Sequence, residues 1–337
     1  MAVSPINSLL TGPDVRKSNI VDVNDDRPLV EVVCAVIQKP NGEFLLAQRP
    51  AGKVYQGYWE FPGGKVDPGE SLAAATAREL HEELGIIVEE SYPWLTRSFS
   101  YPHAHVRLHF RRVTRWQNQP RSRENQAFAW QSIAHITLAP LLPANGPILA
   151  ALALPTTYGI THAGDIGEAA MLRHVEGALA QGLRLIQVRE KAWRRERLEA
   201  FAKQVIALAE PYQAKVLVNG DKDLARAVDA DGVHLTTGAL LRLNRRPDFG
   251  LCAASCHSES ELVKAAELNV DFVLLGPVLP TSSHPGGEFL GWNRFNELVT
   301  NYSLPVFAIG GLSPSDLETA WRHGAHGIAM LRNVWLT

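Results

Sequence analysis

The sequence predicts a mixed α/β protein of two domains, the second of them a barrel of eight βα units. The chain has 337 residues, and at roughly 150 residues per domain this length suggests about two domains. In the second half, short apolar runs alternate with helical segments, whereas the first half combines β-rich runs with one long helical stretch. The alternation of short strands and helical segments in the second half indicates a parallel sheet.

We expect three segments along the chain, with the boundary between the folded domains near Pro155. Residues 1–28 are polar and aperiodic, and we interpret them as a flexible leader. Residues 29–154 form the first predicted domain and residues 155–337 the second. The stretch that leads to Pro155 is rich in Pro and Ala and lacks charge. Such a change in amino-acid composition is typical of a boundary between domains.

The first domain opens with two β-rich runs, VEVVCAVIQ and EFLLAQR, on either side of an Asn-Gly turn. This arrangement predicts a hairpin. A Gly/Pro loop follows, GYWEFPGGKVDPGE, and then a helical stretch that begins at Ser71 and ends at Gly85, a residue suited to a helix C-terminus. Further β segments are expected near residues 97–101, 105–113 and 127–131.

Eight short apolar strands predict the second domain. They are TYGI (157–160), LRLIQV (183–188), AKVLVN (214–219), GVHL (232–235), LCAAS (251–255), FVLLG (272–276), VFAIG (306–310) and GIAM (327–330). Helical segments separate them, so we expect a (β/α)8 TIM barrel with any chemistry at the carboxyl ends of the strands.

Composition and charge argue against several classes of protein. The chain has 33 Lys and Arg against 35 Asp and Glu, a net charge of −2, so nucleic-acid binding is not expected. No long apolar run and no signal-peptide pattern occurs, which predicts no membrane span. Three sparse cysteines, Cys34, Cys252 and Cys256, indicate reduced thiols and a cytoplasmic location. The oligomeric state stays open, with a homodimer among the alternatives.

The predicted helix of the first domain carries a dense set of carboxylates. The pattern is G-x5-E-x7-R-E-L-x-E-E-x-G-I, from Gly64 to Ile86. At about 100° per residue, Glu79 and Glu83 share one face with Glu82 beside them, and like charges so placed repel. A hard divalent cation would remove this cost, and an oxygen-only donor set favours Mg²⁺, with Mn²⁺ as the alternative ion. The competing interpretation is a solvated acidic helix face.

The complete pattern is the NUDIX box, and residues 29–154 resemble a NUDIX hydrolase. The resemblance implies an α/β/α sandwich with a mixed sheet and the hydrolysis of a nucleoside diphosphate linked to another moiety. It also implies that Arg78 orients the glutamates by pairing with one of them. Carried over by position, the metal ligands would be Gly63 (through its carbonyl), Glu79, Glu82 and Glu83.

The loop WEFPGGKVDPGE narrows the resemblance to the MutT branch, which hydrolyses 8-oxo-dGTP. The branch implies a phosphate-contacting arginine, an aromatic wall of the base pocket, a late metal-binding carboxylate and an asparagine that reads the purine, at Arg49, Phe61, Glu124 and Asn145. The alternatives are a surface carboxylate for Glu124 and a turn residue for Asn145. Ala104 stands where the bacterial MutT type carries an arginine, which implies looser base selectivity.

The predicted mechanism is a metal-assisted attack of water on a phosphorus. Arg49 and Lys65 would offset the phosphate charge, and Glu79 or Glu124 would accept the proton, with Glu82 close by as a further catalytic candidate. The products would be a nucleoside monophosphate and pyrophosphate, so a nucleotide is the expected partner.

Polar residues follow the predicted barrel strands. The motifs QVREK, DGVHL, GPVLPT and AIGGLSP occur in this order, and residues 157–332 resemble thiamine phosphate synthase and its relative TenI. The resemblance implies a thiamine-related phosphate ligand. By position, its binding residues would be Gln187, Arg189, Lys191, Asn219, Ser255, His257, Thr281, Ser283 and Gly311.

The barrel departs from the synthase at the positions that bind Mg²⁺. The synthase carries Asn-Asp after strand three and an aspartate five residues beyond the strand-four histidine, where this chain has Asn219-Gly220 and Ala239. Asp221 or Asp223 could substitute only with a shifted loop. A Mg²⁺-pyrophosphate leaving group would be poorly served, so the barrel is expected to be degenerate.

Three hypotheses therefore stay open. In the first, the chain is a MutT-type pyrophosphohydrolase with an appended barrel. In the second, it is a bifunctional enzyme of thiamine synthesis, a synthase or a thiazole tautomerase acting through His257, whose NUDIX domain removes thiamine-related pyrophosphates. In the third, the barrel is a non-catalytic ligand-binding or assembly module, and His234 and His257 are only polar groups at strand ends.

Overall fold

The computed structural model describes residues 27–281 and 286–336, and the leader prediction falls almost entirely outside them. The chain divides into two compact units: the first takes the residues up to Ala153 and also Asn301–Ser303, and the second takes Leu154–Thr300 and the residues from Leu304 onward. Among the described residues, no helix has the length and apolar character needed to cross a membrane.

The first unit holds two small sheets, and its mixed strand directions agree with the prediction. One sheet has the order β1-β5-β4, with β1 parallel and β4 antiparallel to β5; its strands are β1 (Leu29–Ile37), β4 (Ile87–Tyr101) and β5 (Ala104–Gln117). The other is antiparallel with the order β3-β2-β6; its strands are β2 (Phe44–Gln48), β3 (Trp59–Glu60) and β6 (Phe128–Gln131). The helices are α1 (Leu72–Leu84) and α2 (Gly146–Leu152).

The predicted hairpin of β1 and β2 is wrong, because the two strands belong to different sheets. A single bridge from Gln38 to Phe44 links them beside their turn. β1 instead pairs with β5 over nine positions, and β2 lies between β3 and β6. Four of the five residues of β2 are buried, and a buried strand must satisfy its backbone groups along both edges.

Helix α1 begins and ends as the sequence predicts. The Ser71 hydroxyl accepts a hydrogen bond from the Ala74 N–H at 3.2 Å, and Gly85 adopts a left-handed conformation with φ of 69° that closes the helix. Leu80 and Leu84 are fully buried, so one face of the helix is fixed in the core. The acidic residues next to that face are thereby held at a defined position.

The second unit is a closed barrel of eight parallel strands, as predicted. Its strands are β7 (Thr157–Ile160), β8 (Leu185–Val188), β9 (Lys215–Asn219), β10 (Gly232–Leu235), β11 (Leu251–Cys256), β12 (Phe272–Leu275), β13 (Val306–Ile309) and β14 (Gly327–Met330). Its helices are α3 (Ala163–Ile166), α4 (Glu168–Ala180), α5 (Arg195–Ala209), α6 (Lys222–Ala227), α7 (Thr237–Arg242), α8 (Glu259–Glu267), α9 (Gly291–Val299) and α10 (Leu317–Arg322). The rings of Tyr158, Phe272 and Phe307 pack together in the buried core.

Candidate functional site

The glycine loop before α1 occupies space that a side chain could not share. A Cβ on Gly63 would lie 2.0 Å from the Val33 carbonyl oxygen, and a Cβ on Gly64 would lie 2.3 Å from the Glu79 carboxyl. The Val33 N–H donates to the Gly64 carbonyl at 2.9 Å. The loop is therefore fixed between β1 and the acidic face of α1, and only glycine allows so close an approach.

Arg78 holds the carboxylates of this face in place. Its guanidinium donates to Glu70 at 2.9 and 3.0 Å, to Glu79 at 2.8 Å and to Glu82 at 3.3 Å. It also donates to the Lys65 carbonyl at 3.0 Å, which ties the glycine loop to the helix. Arg78 thus orients three glutamates, where pairing with one was expected.

Glu83 is the most perturbed carboxyl of the cluster. Burial, followed by the charges of Glu60, Glu79 and Glu124, raises the pKa of Glu83 to about 8. Burial also raises the pKa of Glu79, against the lowering effect of Arg78. The late carboxylate Glu124 therefore lies near enough to both helix residues for its charge to act on them, although it is distant in sequence.

The donor chemistry of the cluster fits a hard divalent cation. Among the described residues, no three His, Cys, Asp or Glu side chains are already gathered in a position to hold an ion. In this structure Glu79 accepts a hydrogen bond from Arg78 at 2.8 Å, and Glu83 accepts one from the Gly63 N–H at 3.2 Å. The donor atoms are all oxygens. Burial and, after it, repulsion from Glu60, Glu79 and Glu124 raise the pKa of Glu83, and a bound cation would relieve that repulsion.

Glu60 is a further carboxylate of this cluster, which the sequence analysis did not single out. Its two oxygens accept hydrogen bonds from Arg49 at 2.6 and 2.7 Å, and its charge acts on Glu83. Burial raises the pKa of Glu60 as well. Its place three residues before Gly63, in the same loop motif, was the available signal.

Both predicted phosphate-binding cations lie close to the cluster. Arg49 is engaged by Glu60 and also donates from Nε to the Val54 carbonyl at 2.7 Å. A phosphate would therefore share or displace the Arg49–Glu60 pair. Lys65 has an exposed side chain beside the Arg78 contact to its carbonyl.

The two predicted base-recognition residues are both buried. Phe61 is 2% exposed and packs with Phe44 and Phe110, its ring centroid 6.0 Å from each of theirs, so its ring belongs to the core in this conformation. Asn145 is 4% exposed, and its amide nitrogen donates to the Trp59 carbonyl at 3.1 Å. Asn145 thereby supports the strand that carries Glu60.

A cluster of aromatic rings near the β4–β5 turn was not anticipated from the sequence. Tyr55, with φ of 60°, lies with its ring centroid 5.3 to 5.9 Å from those of three neighbours, and further pairs extend the group. Its members are Tyr55, Tyr58, Phe99, Tyr101 and His103. Because these residues come from two separate parts of the sequence, their grouping could not be predicted from it.

The second unit holds a cavity of about 410 Å³ at the carboxyl ends of its strands. Arg332 and Asn333, which follow the last strand, also line it and were missed by the sequence analysis, although a cation two residues after the end of a barrel strand was an available signal. The predicted residues that line the cavity are Gln187, Arg189, Lys191, Ser255, His257, Thr281 and Gly311.

One predicted barrel residue is not brought into this cavity, and another lies outside the described residues. Asn219 ends β9 but is not among the lining residues, and Ser283 lies outside the described residues. Asp221, considered as a substitute metal ligand, instead caps α6 by accepting from the N–H groups of Asp223 and Leu224 at 3.0 and 2.8 Å. Its second oxygen pairs with Arg195 at 3.0 Å.

A buried polar network connects three barrel strands and includes Ser255, which lines the cavity. His234 is fully buried; Ser255 lies 2.9 Å from its Nε2, and the Tyr158 hydroxyl lies 3.4 Å from its Nδ1. Burial, with a smaller effect of Arg189, lowers the pKa of His234 to about 3. His234 is therefore a neutral structural partner of Ser255. His257, in contrast, lines the cavity and donates from Nδ1 to the Gly276 carbonyl.

Two family models match the chain. One, described as thiamine monophosphate synthase, covers residues 157–334, and the other, described as NUDIX domain, covers residues 28–152.

Individual relatives match one part of the chain or the other. A relative from Aquifex aeolicus is 36% identical over 181 residues, which cover 52% of this chain and 95% of the relative. A thiamine-phosphate synthase from Archaeoglobus fulgidus is 35% identical, over 47% of this chain and 76% of the relative. A solved structure described as MutT from Aliivibrio salmonicida and Vibrio cholerae is 34% identical, over 37% of this chain and 97% of its own, with a TM-score of 0.33.

Proposed function

This chain belongs to the thiamine monophosphate synthase family and carries a NUDIX domain, and from that premise we propose that the NUDIX domain is a Mg²⁺-dependent nucleoside triphosphate pyrophosphohydrolase. Its proposed substrate is 8-oxo-dGTP, and its products are 8-oxo-dGMP and pyrophosphate. The observation that carries the proposal is the contact of the acidic face of α1 with the glycine loop: Glu83 accepts from the Gly63 N–H, and Arg78 binds both Glu79 and the Lys65 carbonyl.

In this proposal Glu79, Glu82, Glu83, Glu124 and the Gly63 carbonyl would hold Mg²⁺ or Mn²⁺. When bound, the ion neutralises phosphate charge and acidifies the attacking water. Glu79 or Glu124 accepts the proton of that water.

The remaining residues orient the carboxylates and the substrate. Arg78 fixes Glu79 and Glu82 through its guanidinium, which limits the conformations that the ligand set explores. Arg49 and Lys65 offset the charge of the phosphates.

A nucleobase is the proposed occupant of the region near the aromatic cluster around Tyr55. Stacked rings favour a flat aromatic ligand, and the tyrosine and histidine members add polar edges. Asn145 is the proposed reader of the oxidised purine, since an amide both donates and accepts, and Phe61 supports the base from the core. Ala104, which opens β5, leaves space beside the base.

A substrate panel tests the specificity. We expect kcat/KM for 8-oxo-dGTP to exceed the values for dGTP, ADP-ribose and thiamine pyrophosphate, each measured with Mg²⁺ and with EDTA. Preference for thiamine pyrophosphate would favour the second candidate function, in which the NUDIX domain serves thiamine metabolism; the family of the barrel is the observation that supports that candidate.

A further inference from the structure

The barrel cavity is rich in cations and has no carboxylate among the residues that line it. Arg189, Lys191 and Arg332 line it together with His257, and no Asp or Glu is among the described lining residues. The segment 282–285, outside the described residues, contains no Asp or Glu either. A cavity of this composition attracts anions and offers a divalent cation no charged ligand.

Two carboxylates lie close in sequence to residues of this cavity, and only Asp165 pairs with one of its cations. Glu190 is 7% exposed, and its carboxylate accepts hydrogen bonds from the N–H groups of Ala163 and Gly164, both at 2.8 Å. Asp165 pairs with Arg332 at 3.5 Å from an exposed position. Neither Arg189 nor Lys191 forms an ion pair with any residue that the structure describes.

The cations also act on one another. The charge of Arg189, with a smaller effect of burial, lowers the pKa of Lys191, so the two groups lie close enough to repel. Burial lowers the pKa of Arg189 itself. An anion between them would remove this repulsion and strengthen every contact it makes.

Backbone groups complete the anion site. Gly311 and Leu312 line the cavity, and their N–H groups donate to no acceptor within residues 27–281 and 286–336. A Cβ on Gly311 would lie 2.5 Å from the Pro280 carbonyl oxygen, so the chain there passes too close for any larger residue. Free N–H groups in a glycine turn are typical phosphate donors.

The part of the barrel where the family places Mg²⁺ does not fit a metal ion in this chain. Gly220 and Ala239 provide no ligand, the Asp221 carboxylate is used for the α6 cap and for Arg195, and Asp223 is 81% exposed and pairs with Arg226. Neither Asn219 nor any residue of α6 or α7 lines the cavity. This chain therefore differs from the family's Mg²⁺ site in two ways: it lacks the ligand residues, and the corresponding positions lie outside the cavity.

We infer that the barrel binds a phosphate or pyrophosphate ester without a metal ion, with Arg189, Lys191 and Arg332 supplying the positive charge. The cations take the place of Mg²⁺ in balancing the ligand, and the N–H groups of Gly311 and Leu312 bind its terminal oxygens. This inference concerns the barrel alone and holds whether or not the NUDIX domain hydrolyses 8-oxo-dGTP.

Isothermal titration of the full chain with inorganic pyrophosphate, in EDTA and in Mg²⁺, tests the inference. In EDTA we expect saturable binding that Lys191→Gln and Arg332→Ala each weaken by about tenfold or more, the loss expected for a hydrogen bond from a charged donor. Arg173→Ala, an exposed arginine on α4 away from the cavity, is the matched control and should bind as the wild type does. Circular dichroism and thermal unfolding establish that each variant is folded.

Three results would overturn the inference. The first is binding that requires Mg²⁺ and is lost in Lys191→Gln or in Asp223→Asn, which would place a metal in the barrel. The second is Mg²⁺-dependent binding lost only in Glu79→Gln, which would place the ligand in the NUDIX domain. The third is no binding of pyrophosphate under any condition by folded protein.

Discussion

Binding of Mg²⁺ to the NUDIX domain is expected to release a proton near neutral pH. In the metal-free protein the pKa of Glu83 is about 8, because the carboxyl is buried and faces the charges of Glu60, Glu79 and Glu124. A carboxyl with this pKa is about 90% protonated at pH 7 and about 10% protonated at pH 9. Since the ion binds the carboxylate form, binding should release close to one proton at pH 7 and almost none at pH 9.

The same equilibrium makes the affinity depend on pH. The Kd for Mg²⁺ should fall about tenfold per pH unit from pH 6 to pH 8 and then level off. Isothermal titration in buffers of different ionisation enthalpy measures both quantities. Glu83→Gln should remove most of the proton release, whereas Glu43→Gln, a surface carboxylate paired with Lys39, should leave it unchanged. Tight binding at pH 7 without proton release, or equal release by Glu83→Gln, would refute the reasoning.

Three further predictions follow from the same contacts. With EDTA, the contribution of Glu83 to the free energy of unfolding should be complete below about pH 4.5 and be lost as the pH rises toward 8, because its pKa in the folded protein is raised from 4.5 to about 8; the loss should reach about 1.4 kcal/mol per pH unit. Urea unfolding followed by hydrogen exchange in α1 measures this, and a contribution of Glu83 that rises over the same range would contradict it. Gly64→Ala should lower kcat at least about tenfold with the fold retained, because its Cβ would meet the Glu79 carboxyl at 2.3 Å; full activity of folded protein would count against the site. Arg78→Lys should lower kcat more than it changes KM, by about 10- to 100-fold, since one ammonium cannot hold three glutamates; unchanged steady-state kinetics would argue that Arg78 is dispensable.

Local sequence signals predicted the elements that depend on local chemistry. Ser71 and Gly85 determine the ends of α1 through a side-chain cap and a left-handed residue, and both can be read from the sequence. The prediction of a hairpin from β1 and β2 was wrong because strand pairing here depends on distant residues. Its turn is local, but the pairing of β1 with β5 joins residues more than 70 positions apart, and a single sequence does not encode that choice in any short window.

The site was predictable where one element carries it and not where several elements meet. Glu79, Glu82 and Glu83 lie on one helix, so helical geometry placed them together. Glu60 escaped notice because it lies on β3, and its charge acts on Glu83 of α1 only once the two elements are brought together by the fold. In the barrel, Arg332 was missed for the same reason, since its role follows from the closure of β14 beside β7.

Hydrolysis of 8-oxo-dGTP by purified full-length protein tests the central claim most directly. With Mg²⁺, the wild type and Glu43→Gln should convert it to 8-oxo-dGMP and pyrophosphate at equal rates, both identified by ion-exchange chromatography. Folded Glu79→Gln and Glu83→Gln should be slower by at least about a hundredfold, since each removes a proposed metal ligand. Wild-type rates in both variants, or release of 8-oxo-dGDP and inorganic phosphate instead, would contradict the account.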